Sequence, residues 1–172
     1  MSIISVIGTG TMVTAVAGRI AQAGHAVEVV NRDPAKAQAL AGKLGGGATS
    51  GTYGDALAGH IVIIAVPYSG VAAVVSDFGN AFDGKVVIDL TNPAAPDLSG
   101  LVTPHGSSSA QETAKMLPSG THVVKAFNTI FGNVLAKGGP SMRSSLVTTP
   151  EPREVSQPSL KASTFGRLMS AA

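Results

Sequence analysis

Ile3-Ile4-Ser5-Val6-Ile7-Gly8-Thr9-Gly10-Thr11-Met12-Val13 decides the fold. The first five residues, rich in β-branched side chains, predict a strand that ends at Gly8. Met12 to Ala23 then carries small and apolar residues at helical spacing, with Gly24 as the stop. Strand, glycine turn and helix in that order make a dinucleotide fingerprint. Gly8 permits the tight turn, Gly10 lets the backbone approach a pyrophosphate, and the helix N-terminus offers amides and a positive dipole to it. The third fingerprint position is Val13, neither Gly nor Ala, where a small residue lets the helix pack close to the sheet. The alternative use of the two glycines is a tight turn and nothing more. Their place at the end of the first strand of a β-α-β unit favours cofactor binding.

Working outward, Ala26 to Val30 is a second strand, and Asp33-Pro34 opens a helix reaching about Leu44, with Asp33 as N-cap and Pro34 at the first helical position. A weak strand is expected at Ala48 to Ser50 and a short helix at Tyr53 to Leu57. Ile61 to Val66 is apolar on both faces, as a central parallel strand is. Val71 to Phe78 is helical in pattern, Lys85 to Leu90 a fifth strand closed by Thr91-Asn92-Pro93, Ser107 to Leu117 a helix, and Thr121 to Phe127 a sixth strand. Strands alternating with helices of this size predict right-handed crossovers and an α/β, Rossmann-type doubly wound parallel sheet of six strands. The expected division is a dinucleotide-binding domain over residues 1–140 and an irregular Ser/Pro-rich tail over 141–172, mobile or docked on a partner chain through Leu160, Phe165, Leu168 and Met169. The change of character at Ser141 fits a shifted reading frame or a divergent terminus.

Composition narrows the function. With 44% hydrophobic and 13% charged residues the chain of 172 is not a disordered one. It has no Cys, which removes disulfides, thiolate metal sites and cysteine nucleophiles, and makes the cytoplasm the default location. The net charge of +2 lies wholly in the last 32 residues, since eight cations balance eight anions before Ser141. No basic cluster forms, aromatics are 4% and Trp is absent, so nucleic acid is not an expected partner. The longest apolar run, Ile61 to Pro67, is about a third of the ~20 residues a membrane span needs, and the N-terminus lacks a basic n-region, so neither a membrane span nor a signal peptide is expected. His25, His60, His105 and His122 show no metal-ligand spacing, and no metal is expected.

The end of the second strand selects the cofactor. NAD sites place an acid there for the ribose 2′-hydroxyl; here Asn31 is followed by Arg32, with Lys36 a helical turn on. A guanidinium suits a 2′-phosphate, by a bidentate contact. The alternative is that Arg32 and Lys36 are ordinary surface cations beside Asp33. Lys125 is read either as a neutraliser of an anion at a strand end or as an edge lysine, Asp89 as a cap or turn acid, and Tyr68 as a nicotinamide neighbour or a loop cover.

Ile7-Gly8-Thr9-Gly10-Thr11-Met12, Asn31-Arg32-Asp33-Pro34, Ala65-Val66-Pro67-Tyr68, Val87 to Pro93 and Val123 to Phe131 together resemble the NADPH:coenzyme F420 oxidoreductase family over residues 1 to about 140. The resemblance implies a Rossmann domain binding NADP, with hydride exchange between nicotinamide C4 and C5 of a deazaflavin, coenzyme F420 or a similar acceptor. It implies Gly8, Thr9, Gly10, Thr11 and Met12 at the pyrophosphate and its ribose, and Asn31, Arg32 and Lys36 at the 2′-phosphate. Ala65, Val66 and Pro67 would then line the nicotinamide half, facing a wall from Ala126 through Asn128 to Thr129. Such hydride transfer needs no side-chain nucleophile, only proximity, orientation and exclusion of water. Two other functions stay open: reduction of a small imine or carbonyl, and a truncated non-catalytic NADP-binding module. The expected partner is a small-molecule donor or acceptor, with a homodimer left open.

Overall fold

A computed structural model of the chain describes residues 2–97 and 99–127. The expected boundary at residue 140, the 141–172 tail and Asn128 of the expected wall lie outside the described residues.

The strands are β1 (Ile3–Ile7), β2 (Ala26–Val30), β3 (Thr49–Gly51), β4 (Ile61–Ile64), β5 (Val86–Asp89) and β6 (His122–Lys125). They form one sheet in the order β3-β2-β1-β4-β5-β6, and every adjacent pair is parallel. This is the doubly wound order in which the crossovers reverse direction between β1 and β4, leaving a crevice at the carboxyl ends of the strands.

Both faces of the sheet are covered, as the apolar strands require. Ile4, Val6, Val27, Val29, Ile63 and Ile88 pack on one face beneath α1 (Thr11–Gln22) and α2 (Pro34–Leu44). On the other, Ile7, Val30, Val62, Ile64 and Val87 meet Val71, Val74, Val75 and Phe78 of α3 (Val71–Phe78), with Phe82 behind them. The two-residue period of a strand puts Ile4 and Val6 on one face and Ile7 on the other. Helix α1 answers with Val13, Val16, Ala17 and Ile20, the i, i+3, i+4, i+7 stripe of a helix lying on a core. In β1 and β2 two polar residues interrupt the apolar pattern, Ser5 and Glu28, which face each other in the register. Ser5 Oγ donates to the Glu28 carboxylate, which also accepts from the Ala58 amide at 2.9 Å, while Ser5 accepts from the Gly59 amide at 2.8 Å. The buried pair is therefore satisfied, and it fixes the chain's approach to β4.

Local signals set the helix ends. Asp33 caps α2 by accepting from the Ala35 and Lys36 amides, with Pro34 next, as the sequence implied. Helix α4 (Ser109–Met116) starts two residues later than its pattern suggested, because Ser108 and Gln111 close a reciprocal capping box. The short helix expected at Tyr53 to Leu57 is absent; the segment is a turn. Gly54 there has φ +88°, a left-handed conformation that breaks a helix, and Tyr53 is drawn toward α3, its ring edge-on to Phe78 at 4.9 Å. Strand β4 stops at Ile64 rather than Val66, and β3 occupies 49–51 rather than 48–50.

Candidate functional site

The glycine turn lies at the crevice. Gly8 leaves β1 with φ +127°, and its amide donates to the Val30 carbonyl at 2.9 Å, tying the turn to β2. A Cβ at Gly8 would stand 2.5 Å from the Ala65 carbonyl oxygen and 3.2 Å from Val13 Cγ2. Glycine is thus required twice over, by conformation and by space. The same contact accounts for Val13. The valine is fully buried and lies directly against Gly8, filling room that the missing side chain provides, so the larger third residue is accommodated.

Gly10 is different. Its backbone is extended and serves as the N-cap of α1, and a Cβ there would meet no protein atom within 4 Å. No side chain caps this helix and its first turn holds no acid. The first-turn amides of Thr11, Met12 and Val13 are the donors that a helix start leaves without intrahelical partners. Open space, unclaimed amides and a positive helix end fit a pyrophosphate.

Beside this cradle, the Asn31 amide joins two segments. Its Nδ2 donates to Thr9 Oγ1 at 3.1 Å and its Oδ1 accepts from the Asp33 amide at 2.8 Å. Asn31 therefore ties the glycine loop to the start of α2. Arg32 extends into solvent, where Nε donates to the Tyr53 hydroxyl at 3.1 Å and an Nη2 hydrogen goes to Asp77 Oδ2 at 3.3 Å. The Tyr53 hydroxyl, by its hydrogen bond, and Asp77 raise the Arg32 pKa above its ordinary value. Lys36 Nζ stands 3.6 Å from Asp33 and is likewise exposed. A shallow cleft of about 210 Å³ runs from Thr9 and Thr14 along α2, lined by Lys36, Ala39, Leu40 and Lys43. Arg32 and Lys36 thus both follow the carboxyl end of β2, where an NAD site would hold an acid, but each is paired with its own carboxylate, Asp77 and Asp33, and Arg32 does not line the cleft.

The other half of the crevice lies across β4, β5 and β6. Ala65 continues from β4 with its amide on the Ile7 carbonyl at 3.1 Å, followed by partly buried Val66 and exposed Pro67. The Ala126 amide donates to the Asp89 carbonyl at 3.3 Å, and Phe127 follows with φ +61°, an uncommon conformation for a residue with a side chain. Ala126 and Phe127 are both buried against the core. One strand, β5, separates these two walls, so they stand roughly 10 Å apart by the spacing of strands.

Beneath that gap is a polar centre that spacing along the chain did not reveal. Lys125 Nζ donates to Asp89 Oδ2 at 3.2 Å, to Ser109 Oγ at 2.6 Å and to the Thr91 carbonyl. Asp89 is fully buried and accepts from the Thr91 amide at 2.7 Å, as a turn acid does. Burial pushes the Lys125 ammonium below the ordinary lysine range, against the pull of Asp89. Lys125 is thus neither a free edge lysine nor an exposed anion site; it pins the ends of β5, β6 and α4 to one another. Tyr68, after Pro67, has its hydroxyl pKa raised by burial, with the charges of Glu112 and Asp89 adding to the effect. Among the described residues no helix is long and apolar enough to cross a membrane.

A family model described as NADP oxidoreductase, coenzyme F420-dependent, matches residues 3–93, just over half of the chain. Among solved structures, a hypothetical protein from Sinorhizobium meliloti is 31% identical with a TM-score of 0.70, over 79% of this chain and 66% of that one. A proposed F420-dependent NADP reductase from Arthrobacter sp. FB24 is 24% identical with a TM-score of 0.66, over 76% of this chain and 64% of its own, and at that identity it supports the fold. An imine reductase from Streptomyces aurantiacus matches at 25% identity and a TM-score of 0.53, over 72% of this chain and 40% of its own. The chain thus spans slightly under two thirds of the length of the first two proteins. No curated protein matches it.

Proposed function

This chain belongs to the family of coenzyme F420-dependent NADP oxidoreductases, and from that premise we propose that it binds NADP(H) and exchanges hydride with a deazaflavin of the F420 type. The observation that carries the reading is the pairing of an uncapped, acid-free start of α1 at Gly10 with neutral Asn31, where an NAD site has a carboxylate, and the guanidinium of Arg32 next to it.

The cofactor, when bound, supplies or accepts the hydride at nicotinamide C4. The chain's own residues bind and align. Gly10 and the first-turn amides receive the pyrophosphate, and Arg32 with Lys36 meets the 2′-phosphate. Asn31 holds the glycine loop in register with α2 through Thr9 and Asp33. Ala65, Val66 and Pro67 on one side and Ala126 on the other bound the gap above β5. The small and apolar residues there would limit water at the reacting atoms, and two reactants held together react as if at very high local concentration. Such an exchange would move a hydride between nicotinamide C4 and deazaflavin C5, with the accompanying ring-nitrogen proton exchanged with solvent, and it would ask of the chain binding and alignment rather than a side-chain nucleophile.

The test mixes the protein with NADPH and oxidised coenzyme F420 and follows loss of the deazaflavin absorbance. Turnover with NADPH well above that with NADH is the expected result. NADPH binding without deazaflavin reduction would contradict the catalytic part and leave a cofactor-binding module.

A further inference from the structure

Arg32 is not a loose surface arginine. Three segments distant in sequence converge on it: the residue itself beyond β2, Tyr53 in the turn after β3, and Asp77 near the end of α3. The hydrogen bonds close a ring. Arg32 Nε donates to the Tyr53 hydroxyl at 3.1 Å, that hydroxyl donates to Asp77 Oδ2 at 2.9 Å, and the same carboxylate oxygen accepts from Arg32 Nη2 at 3.3 Å. The guanidinium carbon also lies 5.3 Å from the Tyr53 ring centroid. Tyr53 is itself anchored, its ring edge-on to buried Phe78, which continues to Phe82 in the core. Yet the Arg32 and Asp77 side chains remain 61% and 43% exposed, and Arg32 Nη1 makes no hydrogen bond among the described residues.

We propose that Tyr53 and Asp77 are positioning residues that set the cofactor preference, by holding the Arg32 guanidinium in place before a ribose 2′-phosphate arrives. The proposal rests on the NADP reading of this site. A long arginine side chain loses rotamer freedom when it clamps a ligand, and one already ordered in the free protein loses less. The ring uses the Nε edge and one Nη2 hydrogen, leaving Nη1 as a donor for the phosphate. Asp77 carries a charge that opposes a phosphate, so its contribution is geometric and its removal has two opposing effects. Tyr53 carries none, which makes its hydroxyl the cleaner probe.

The experiment measures dissociation constants of NADPH and NADH by fluorescence titration for the full chain, Tyr53→Phe, Asp77→Ala, Arg32→Ala and the Tyr53→Phe/Arg32→Ala double variant. Tyr53→Phe keeps the ring on Phe78, and its melting temperature is compared with that of the parent chain. It is expected to weaken NADPH by about threefold to tenfold, the scale of ordering one flexible side chain, with NADH unchanged. In the Arg32→Ala background the same change should add nothing further. An unchanged NADPH constant for Tyr53→Phe, an equal loss for both cofactors, or a loss that persists without Arg32 would overturn the proposal. So would an Asp77→Ala protein that binds NADPH more tightly than the parent, since the carboxylate would then oppose rather than position. Failure of the underlying NADP reading looks different: the parent chain shows no preference for NADPH and Arg32→Ala changes nothing.

Discussion

Arg32–Asp77 and Lys125–Asp89 are cation–carboxylate pairs of nearly equal length, 3.3 and 3.2 Å, on opposite sides of the central strands. Solvent separates them. The first pair is 61% and 43% exposed, the second 12% and 0%. An exposed pair adds little to the stability of the fold, and its cation stays within reach of a new anion. Breaking a buried one leaves a charge stranded out of water and costs about 3–5 kcal/mol. The same interaction therefore belongs to the proposed binding site at one end of the sheet and to the architecture at the other, and distance alone does not tell which.

That contrast is open to attack at several points. Lys125→Met should lower the free energy of unfolding by about 3–5 kcal/mol, measured by chemical denaturation, because Asp89 is left buried and uncompensated. Adding Asp89→Leu should restore a good part of the loss; a single variant as stable as the parent would show that the buried pair is no more structural than the exposed one. The two glycines repeat the contrast on a smaller scale. Gly8→Ala should cost about 2–4 kcal/mol, from a strained conformation and a collision with Ala65 together. Gly10→Ala, with nothing near its Cβ, should leave stability within about 0.5 kcal/mol and be felt in NADPH binding instead. Arg32→Ala should weaken NADPH by roughly tenfold to a hundredfold, the value of a charge-assisted hydrogen bond, while changing thermal stability little. Last in size, Asp33→Ala should destabilise the fold by about 1 kcal/mol through loss of the α2 cap. A larger loss in NADPH affinity than in stability for that variant would move Asp33 from architecture to binding.

The sheet was largely legible in the sequence because its evidence is local. Runs such as Ile61 to Ile64 and the Asp33-Pro34 helix start carry their structural reasons within a few residues. Tyr53 to Leu57 shows the limit of local pattern. Its side chains suit a helix, but Gly54 turns the chain and the ring of Tyr53 finds Phe78, a partner visible only once α3 is in place. The polar centres were hidden for the same reason. Asp89 and Lys125 meet because they are register partners on β5 and β6, although they are 36 positions apart in sequence. Arg32 was singled out from its position after β2, but Tyr53 and Asp77 are 21 and 45 residues away and carried no signal that linked them to it. Val13 departed from the fingerprint in sequence; the structure shows it resting on Gly8, a compensation between two positions that a motif treats separately.

The central claim is that the crevice holds NADP through Gly10 and Arg32. Calorimetric titration of the parent chain with NADPH and, separately, with NADH tests it without requiring turnover or any knowledge of the acceptor. NADPH binding at least about tenfold tighter than NADH, the scale of one charge-assisted contact to the 2′-phosphate, is the predicted result. Equal affinity for the two cofactors, or no binding of either, would contradict it.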